Sequence, residues 1–345
     1  MTTYKDAGVD VQATDALVND ISSLSKSTAR KGSVDSIGGF GGIFDLKQCG
    51  YKDPLLVSGT DGIGTKILLG IETNQLNGLG FDLVGMCIND ILCHGADPLF
   101  FLDYYASSKV DKNSFLQIIK SITKACKLNN CSLIGGETAE MPGLYKENDF
   151  DFAGFCVGAV ERDNLLPKHS LMKKDDLLFG INSSGFHSNG YSLIRKIIKD
   201  HTIQLDDAPE FETNHNSISD ALMAPTTLYY PFLKDLIKNQ QITGICHITG
   251  GGVIGNVPRM LPKNLNATIY KDNINPNGIF EWLQNIGNIS DTEMLKTFNC
   301  GLGIVLSVQK NNYKNFINKI FNKNLPIFEI GHIDDAKIND RCQVI

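Results

Sequence analysis

Short apolar runs alternate with amphipathic stretches along the chain, from residue 54 to residue 181. Five runs bounded by Gly, Pro or polar residues have the composition of buried strands: 54–58, 98–102, 131–134, 152–160 and 177–181. Two stretches, 83–93 and 115–126, carry apolar residues at helical spacing, and residues 111–114 before the second resemble a helix cap. This alternation predicts an α/β or α+β layer structure.

The chain is long enough for about two domains, at roughly 150 residues per domain. A polar, proline-containing segment at 161–176 separates two patterned halves, and it predicts domains over 1–165 and 170–345. Each half contains a strand that runs into a glycine-bearing polar loop, which suggests two related halves. Periodicity fades over 205–219, which predicts a loop or lid, and 313–321 is typical of an amphipathic surface helix.

Charge and composition exclude several classes of protein. The chain has 32 Lys and Arg against 38 Asp and Glu, a formal charge of −6, whereas nucleic-acid binding favours a basic excess. No run approaches the ~20 apolar residues of a membrane span, and the N-terminus does not resemble a secretory signal. Nine cysteines, an odd number without framework spacing, favour a reduced protein in the cytoplasm. We expect no nucleic acid and no membrane as partners.

The segment from Gly59 to Lys66 is the strongest single candidate for chemistry. Gly62 and Gly64 would let backbone amides approach a phosphate, Lys66 would supply charge, and Asp61 would hold Mg²⁺. The Thr65-Lys66 order is the reverse of the Lys-Ser/Thr order of a Walker A motif, so this is not a P-loop. A glycine-rich turn with a surface lysine is the alternative.

Two further acids extend this prediction. Asp90 lies on an apolar helical face, where a carboxylate needs a cation or several donors, although a buried ion pair or cap would also account for it. Glu137 follows an apolar run and the glycines Gly135 and Gly136. Asp61 and Glu137 are both expected just past strand ends, where open α/β sheets bind ligands. Asp103, inside a predicted strand, is a weaker candidate.

Glycine-rich loops recur elsewhere in the chain. Residues 37–43 hold four glycines around one phenylalanine, and they predict either a mobile cover for phosphates or a linker. In the second half, segments 183–190 and 247–256 each combine glycine, hydroxyl groups and one histidine after an apolar strand, which suits a phosphate ester. Their histidines, His187 and His247, are candidates for donation or proton transfer, although a lone histidine is more often structural. The G-x-G-x-x-G match at 250–255 is only a weak dinucleotide signal.

Taken in order, these motifs resemble the phosphoribosylformylglycinamidine cyclo-ligase family nearly end to end. The shared segments are 4–10, 38–42, 58–66, 89–90, 98–106, 135–143, 153–158, 187–191, 247–252 and 298–301. The resemblance implies two related α/β domains, with N-terminal strands pairing across a homodimer. It also implies a reaction in which ATP phosphorylates the formyl oxygen of formylglycinamidine ribonucleotide, and the amidine nitrogen then closes the ring of 5-aminoimidazole ribonucleotide.

Roles follow from this resemblance for individual residues. Catalysis is assigned to His247 and Lys66, and Mg²⁺ to Asp61, Asp90 and Glu137. The residues expected to bind ATP are Gly62, Gly64, Thr65, Lys66, Gly135 and Gly136. Those expected to bind substrate are His187, Ser188, Asn189, Thr249, Gly250, Gly251 and Gly252.

The alternatives to this function are related enzymes with a different phosphate acceptor and one protein that is not an enzyme. A thiamine-phosphate kinase, a selenophosphate synthetase and a hydrogenase-maturation dehydratase are the enzyme rivals. The second needs a reactive Cys or selenocysteine in its N-terminal loop and the third a C-terminal cysteine. Here the first cysteine is Cys49, and Cys342 is followed by three more residues, which disfavours both. A nucleotide-binding structural partner is the non-enzyme alternative, and the intact acids argue mildly against it.

Overall fold

The computed structural model describes residues 20–34, 39–274, 276–336 and 341–345. Segment 4–10 and Gly38, which contribute to the family resemblance, lie outside these ranges. The chain divides into two compact units, one formed by residues 1–91 and 96–162 and the other by 92–95 and 163–345. Leu92 is the last residue of a helix that starts in the first unit, and residues 93–95 form the turn after it.

The first unit is built on a four-stranded sheet in the order β3-β6-β4-β5. Its strands are β3 (Pro54–Gly62), β4 (Asp97–Ser107), β5 (Ser132–Glu140) and β6 (Phe150–Glu161), and a short pair, β1 (Ser33–Val34) and β2 (Ile43–Phe44), precedes them. β6 pairs antiparallel with both β3 and β4, whereas β4 and β5 are parallel. Parallel neighbours require a crossover, and helix α4 supplies it between β4 and β5.

Helices cover one face of this sheet. They are α3 (Leu79–Leu92) and α4 (Lys112–Leu128), the second capped by Asp111, which accepts from the Ser114 N–H at 2.8 Å. The unit also contains α2 (Lys66–Glu72) and α1 (20–26), and Ser25 of α1 donates to the Leu133 carbonyl in the edge strand β5. Side chains alternate along each strand, so Tyr105 points inward and packs against Phe115 of α4, with ring centroids 4.9 Å apart. Residues one position along face the other way, and Leu56, Tyr104 and Phe155 are exposed there.

The second unit is built on a six-stranded sheet in the order β12-β9-β11-β7-β10-β8. Its strands are β7 (Leu177–Asn182), β8 (Gly244–His247), β9 (Leu265–Ile269), β10 (Leu302–Val308), β11 (Ile327–Asp335) and β12 (Cys342–Val344). Among these described strands, β12 and β9 pair in parallel and the other neighbours are antiparallel. Because β7 and β8 both run antiparallel to β10, their carboxyl ends lie at the same edge of the sheet.

The described residues of the second unit form seven α-helices beside this sheet. They are α5 (Tyr191–Asp200), α6 (Ile218–Leu222), α7 (Tyr230–Lys238), α8 (Gly252–Met260), α9 (Gly278–Gly287), α10 (Asp291–Thr297) and α11 (Tyr313–Asn322). The core between α8 and the sheet is aliphatic and includes Val253, Val257, Leu302 and Ile330. Helices α5 and α8 each begin directly after a glycine-rich loop, one following β7 and the other following β8.

The structure confirms the predicted α/β architecture and corrects one detail of it. The five predicted strands correspond to β3 to β7, and the surface helix predicted over 313–321 is α11. However, β3 runs on to Gly62 and β5 to Glu140, so Asp61 and Glu137 lie inside strands and not past their ends. Within the described ranges, no helix combines the length and apolar character needed to cross a bilayer.

Candidate active site

Asp61 and Asp90 lie close together where α3 packs on β3. A Cβ built on Gly59 would be 3.9 Å from the Asp90 Cβ, and Asp61 is two positions further along the same face of the strand. The charges of both carboxylates also reach the Cys87 thiol. Burial raises the pKa of Cys87 most, the charge of Asp61 raises it further, and the charge of Asp90 has a smaller effect. The Asp61 carboxylate accepts from the Gly62 N–H at 2.8 Å. Both side chains are half-buried.

Glu137 does not join this pair. The strand register places Asp61, Gly154, Asp103 and Gly136 in one row across the sheet. At about 4.8 Å per strand spacing, that row puts roughly 14 Å between Asp61 and Gly136. Glu137 is the next residue, so it faces the opposite side of the sheet. Across the described ranges, no three His, Cys, Asp or Glu side chains lie close enough together to hold a metal ion. The expected convergence of three carboxylates is therefore not present in this arrangement.

Asp103 occupies the helix-covered face in that row. It is nearly buried, and burial raises its pKa to about 7. A Cβ on Gly136 would collide with the Asp103 carboxylate. The space that Asp103 takes thus accounts for glycine at 136, and contact of Gly136 with ATP stays a prediction.

Lys66 is placed differently from its predicted role. It opens helix α2, its side chain is fully buried, and its Nζ lies 2.9 and 2.8 Å from the two carboxylate oxygens of Asp82 in α3. The structure therefore gives Lys66 an ion pair between two helices in place of the expected position beside a phosphate. The loop before it is accessible: Gly64 and Thr65 are exposed, and Gly64 has a left-handed φ of 74°.

The loop after β7 is organised by His187. Its ring is buried, and its Nε2 accepts from the N–H groups of Ser184 at 3.3 Å and Thr227 at 3.5 Å. An imidazole nitrogen that accepts is unprotonated, which places the ring proton on Nδ1. His187 therefore holds the loop by its ring, whereas the neighbouring Ser188 and Asn189 are half-buried and precede the start of α5.

The loop after β8 contains Thr249, Gly250, Gly251 and Gly252 and ends at the N-terminus of α8. Gly251 has a φ of 94°, and Gly250 and Gly251 are exposed. Asn256, which sequence reasoning missed, directs its Nδ2 at the carbonyls of Thr249, Gly250 and Gly252, at 3.2, 3.1 and 2.9 Å. With the carbonyls engaged, the loop is fixed with its exposed side available to an anion at a helix start. An asparagine four residues after Gly252, one helical turn into α8, was the available signal.

His247 ends β8 below this loop. It is nearly buried, its ring centroid lies 6.5 Å from that of His187, and its backbone N–H donates to Cys93 Sγ at 3.2 Å. The structure thus brings together the two histidines and the two loops of the second unit that were predicted separately. Proton transfer by His247 stays a prediction.

A cavity of about 1070 Å³ lies in the second unit, beside the residues that begin the first of these loops. Its wall includes Asn182 and Ser184, the start of α9, and residues 210–215, which belong to the predicted loop or lid.

Comparison with known proteins defines the class. Two models of AIR synthase related proteins match, the N-terminal domain over residues 47–160 and the C-terminal domain over 173–341. Among solved structures, thiamine-monophosphate kinase from Stenotrophomonas maltophilia K279a superposes with a TM-score of 0.71 at 14% identity, covering 95% of both chains. Escherichia coli HypE gives 0.67 at 12% identity, covering 96% of this chain and 93% of that one. At such identities these two structures support the fold alone.

Sequence relatives define the family. The chain is 44% identical over 342 residues to a phosphoribosylformylglycinamidine cyclo-ligase of Geotalea uraniireducens (strain Rf4), covering 99% of this chain and 97% of the relative. It is 46% identical over 334 residues to the enzyme of that name from Lactobacillus acidophilus (strain ATCC 700396 / NCK56 / N2 / NCFM), covering 96% of both. The chain belongs to the phosphoribosylformylglycinamidine cyclo-ligase family.

Proposed function

We propose that this protein closes the imidazole ring of 5-aminoimidazole ribonucleotide from formylglycinamidine ribonucleotide, using ATP. The observation that carries the proposal is identity of 44% or more to two cyclo-ligases over nearly the full length of all three chains. The glycine-rich loops of both units suit a reaction that needs a nucleotide and a sugar phosphate. The product is an intermediate of purine biosynthesis.

The chemistry divides into two balanced steps. The formyl oxygen attacks the γ-phosphorus, ADP leaves, and the amide nitrogen releases its proton as the C=N bond of the iminophosphate forms. The amidine nitrogen then attacks the formyl carbon, phosphate departs with the original oxygen, and that phosphate takes up the proton lost by the amidine nitrogen. Both reacting groups belong to one bound molecule, so holding it in the reactive conformation supplies much of the rate advantage.

The first unit would bind ATP with Mg²⁺. Mg²⁺ is commonly held by one or two carboxylates together with phosphate oxygens and water, so the Asp61–Asp90 pair fits it without Glu137. The metal would neutralise charge on the phosphates during transfer. The backbone at half-buried Gly62 and at exposed Gly64 and Thr65 would approach the phosphates. Gly135 and Glu137 remain candidates for separate contacts with the nucleotide. Lys66 would act through Asp82 by holding α2 against α3.

The second unit would bind the ribonucleotide. A sugar phosphate is a dianion, and the N-termini of α5 and α8 each present backbone amides next to hydroxyl or amide side chains: Ser188 and Asn189 at one, Thr249 at the other. We assign the phosphate to Thr249, Gly250, Gly251 and Gly252, because Asn256 fixes the carbonyls of that loop. His247 is the candidate for proton transfer during ring closure.

The open face of the first sheet supports a homodimer. Leu56 is 63% exposed, Phe155 43% and Tyr104 36%, all on the side of the sheet opposite the helices. Large apolar side chains exposed on one sheet face are costly in water, and a second copy offers the same surface in return.

The nine free thiols suit the reducing cytoplasm, where we place the enzyme.

Turnover by purified protein tests the proposal. Formylglycinamidine ribonucleotide and Mg–ATP should yield ADP, phosphate and aminoimidazole ribonucleotide in equal amounts. Thiamine monophosphate in place of the ribonucleotide should yield no ADP above background. ADP release with thiamine monophosphate, and none with the ribonucleotide, would replace the proposal with a kinase.

A further inference from the structure

Asn299 is a buried amide whose two ends are both occupied. It is 1% exposed and lies in the turn before β10. Its Nδ2 donates to the Gly185 carbonyl at 2.9 Å, and its Oδ1 accepts from Ser183 Oγ and from the Gly301 N–H, each at 2.9 Å. One side chain thus links its own turn to the start of the loop after β7.

The neighbouring Phe298 contacts both substrate loops. A Cβ on Gly190, at the end of the first loop, would collide with the Phe298 ring. A Cβ on Gly252, at the end of the second loop, would lie 2.9 Å from the Phe298 carbonyl oxygen and closer still to that of Leu295. The ring also packs against Phe186, with centroids 5.0 Å apart. The turn at 298–301 therefore lies against both loops, and only glycine fits at its two closest contacts.

We infer that Asn299 is a positioning residue for the ribonucleotide, setting the loop after β7 relative to the loop after β8 through the turn at 298–301. The inference rests on the proposed function. A substrate phosphate held by amides of two loops needs those amides at a fixed separation, and a buried amide with both ends bonded fixes it. Asn299 itself is too deeply buried to contact substrate, so it acts through the loops.

Asn299→Asp tests this role most directly. The carboxylate can still accept from Ser183 and Gly301, but the donor to the Gly185 carbonyl is replaced by a second oxygen, which repels it. The KM for formylglycinamidine ribonucleotide should rise about tenfold or more, since a buried carbonyl loses its donor. The kcat at saturation and the KM for ATP should stay near those of the unmodified enzyme. Ser183→Ala removes one of the three bonds and should raise the same KM by a smaller factor.

Asn129→Asp is the matched control. Asn129 is also buried and also donates from Nδ2 to a carbonyl, that of Ala125 at 2.8 Å, but it lies at the end of α4 in the other unit. The same substitution there should lower the melting temperature without changing the KM for the ribonucleotide. If Asn299→Asp does not fold, Ser183→Ala carries the test, and an unchanged KM in that variant would overturn the inference.

Two failures are distinguishable. No turnover of the ribonucleotide by the unmodified protein would overturn the proposed function together with this inference. Normal turnover by the unmodified protein, with the KM for the ribonucleotide unchanged in Asn299→Asp or raised equally in Asn129→Asp, would overturn the positioning role alone.

Discussion

Lys66 and Asp82 form an ion pair in which both side chains are fully buried, with Nζ 2.8 and 2.9 Å from the two carboxylate oxygens. Burial lowers the pKa of Lys66, and the charge of Asp82 opposes that shift. Removing both charges from water is costly, so the pair is stabilising only while both members are present. Lys66, which was expected beside a phosphate, therefore links α2 to α3 through Asp82.

Replacing one member of this ion pair should lower the free energy of unfolding more than replacing both members. Lys66→Met leaves Asp82 as an uncompensated buried charge and should cost about 3–5 kcal/mol. The double variant Lys66→Met with Asp82→Leu should recover most of that loss. Urea unfolding followed by circular dichroism measures both changes. If the double variant is stable but has lost ATP turnover, Lys66 contacts the nucleotide after all.

Asp61 and Asp90 should govern the metal requirement. Asp61→Asn and Asp90→Asn each remove one anionic ligand, so the Mg²⁺ concentration for half-maximal turnover should rise in both variants. Glu137→Gln should leave that concentration unchanged, because the sheet separates it from the pair. Asp151→Asn, on an exposed position of β6, controls for loss of negative charge. A metal requirement that shifts with Glu137→Gln, and not with Asp61→Asn, would reverse the assignment.

The pKa of Asp103 should appear in the pH dependence of stability. Its folded pKa of about 7 lies above the ordinary aspartate pKa of 3.8, so the folded state binds more protons between these values. This contribution favours the folded state at low pH and is lost as pH rises towards 7, by up to roughly 4 kcal/mol. The free energy of unfolding of Asp103→Asn, measured relative to that of the unmodified protein, should therefore be higher at pH 8 than at pH 5. Equal differences at the two pH values, measured by urea unfolding, would contradict it.

Charges on the open sheet face should prevent self-association. Leu56→Asp and Phe155→Asp place carboxylates within the surface proposed to meet a second copy, where desolvation is unfavourable. Sedimentation velocity should show a dimer for the unmodified protein and a monomer for either variant. Phe321→Asp is the control, since Phe321 is 83% exposed on α11, which belongs to the other unit. A protein that sediments as a monomer before any substitution would refute the dimer.

The sequence alone was sufficient where the physics is local. Apolar periodicity identifies β3 to β7 and helices α3, α4 and α11, because alternation and helical spacing record which side of an element is buried. Glycines before α5 and α8 identify both loops of the second unit. The ordered motifs also indicate the family, which full-length relatives confirm.

Tertiary structure decided whatever depends on register and on partners distant in the chain. Whether Asp61 and Glu137 meet depends on strand order, and the order β3-β6-β4-β5 puts them at opposite edges. Whether Lys66 reaches solvent depends on Asp82, sixteen positions further on and on another helix. Asn256 and Asn299 form their bonds only once the loops are folded. The local spacing of residues specifies the helices and strands. The contacts between these elements follow from tertiary packing, which brings together residues far apart in the chain.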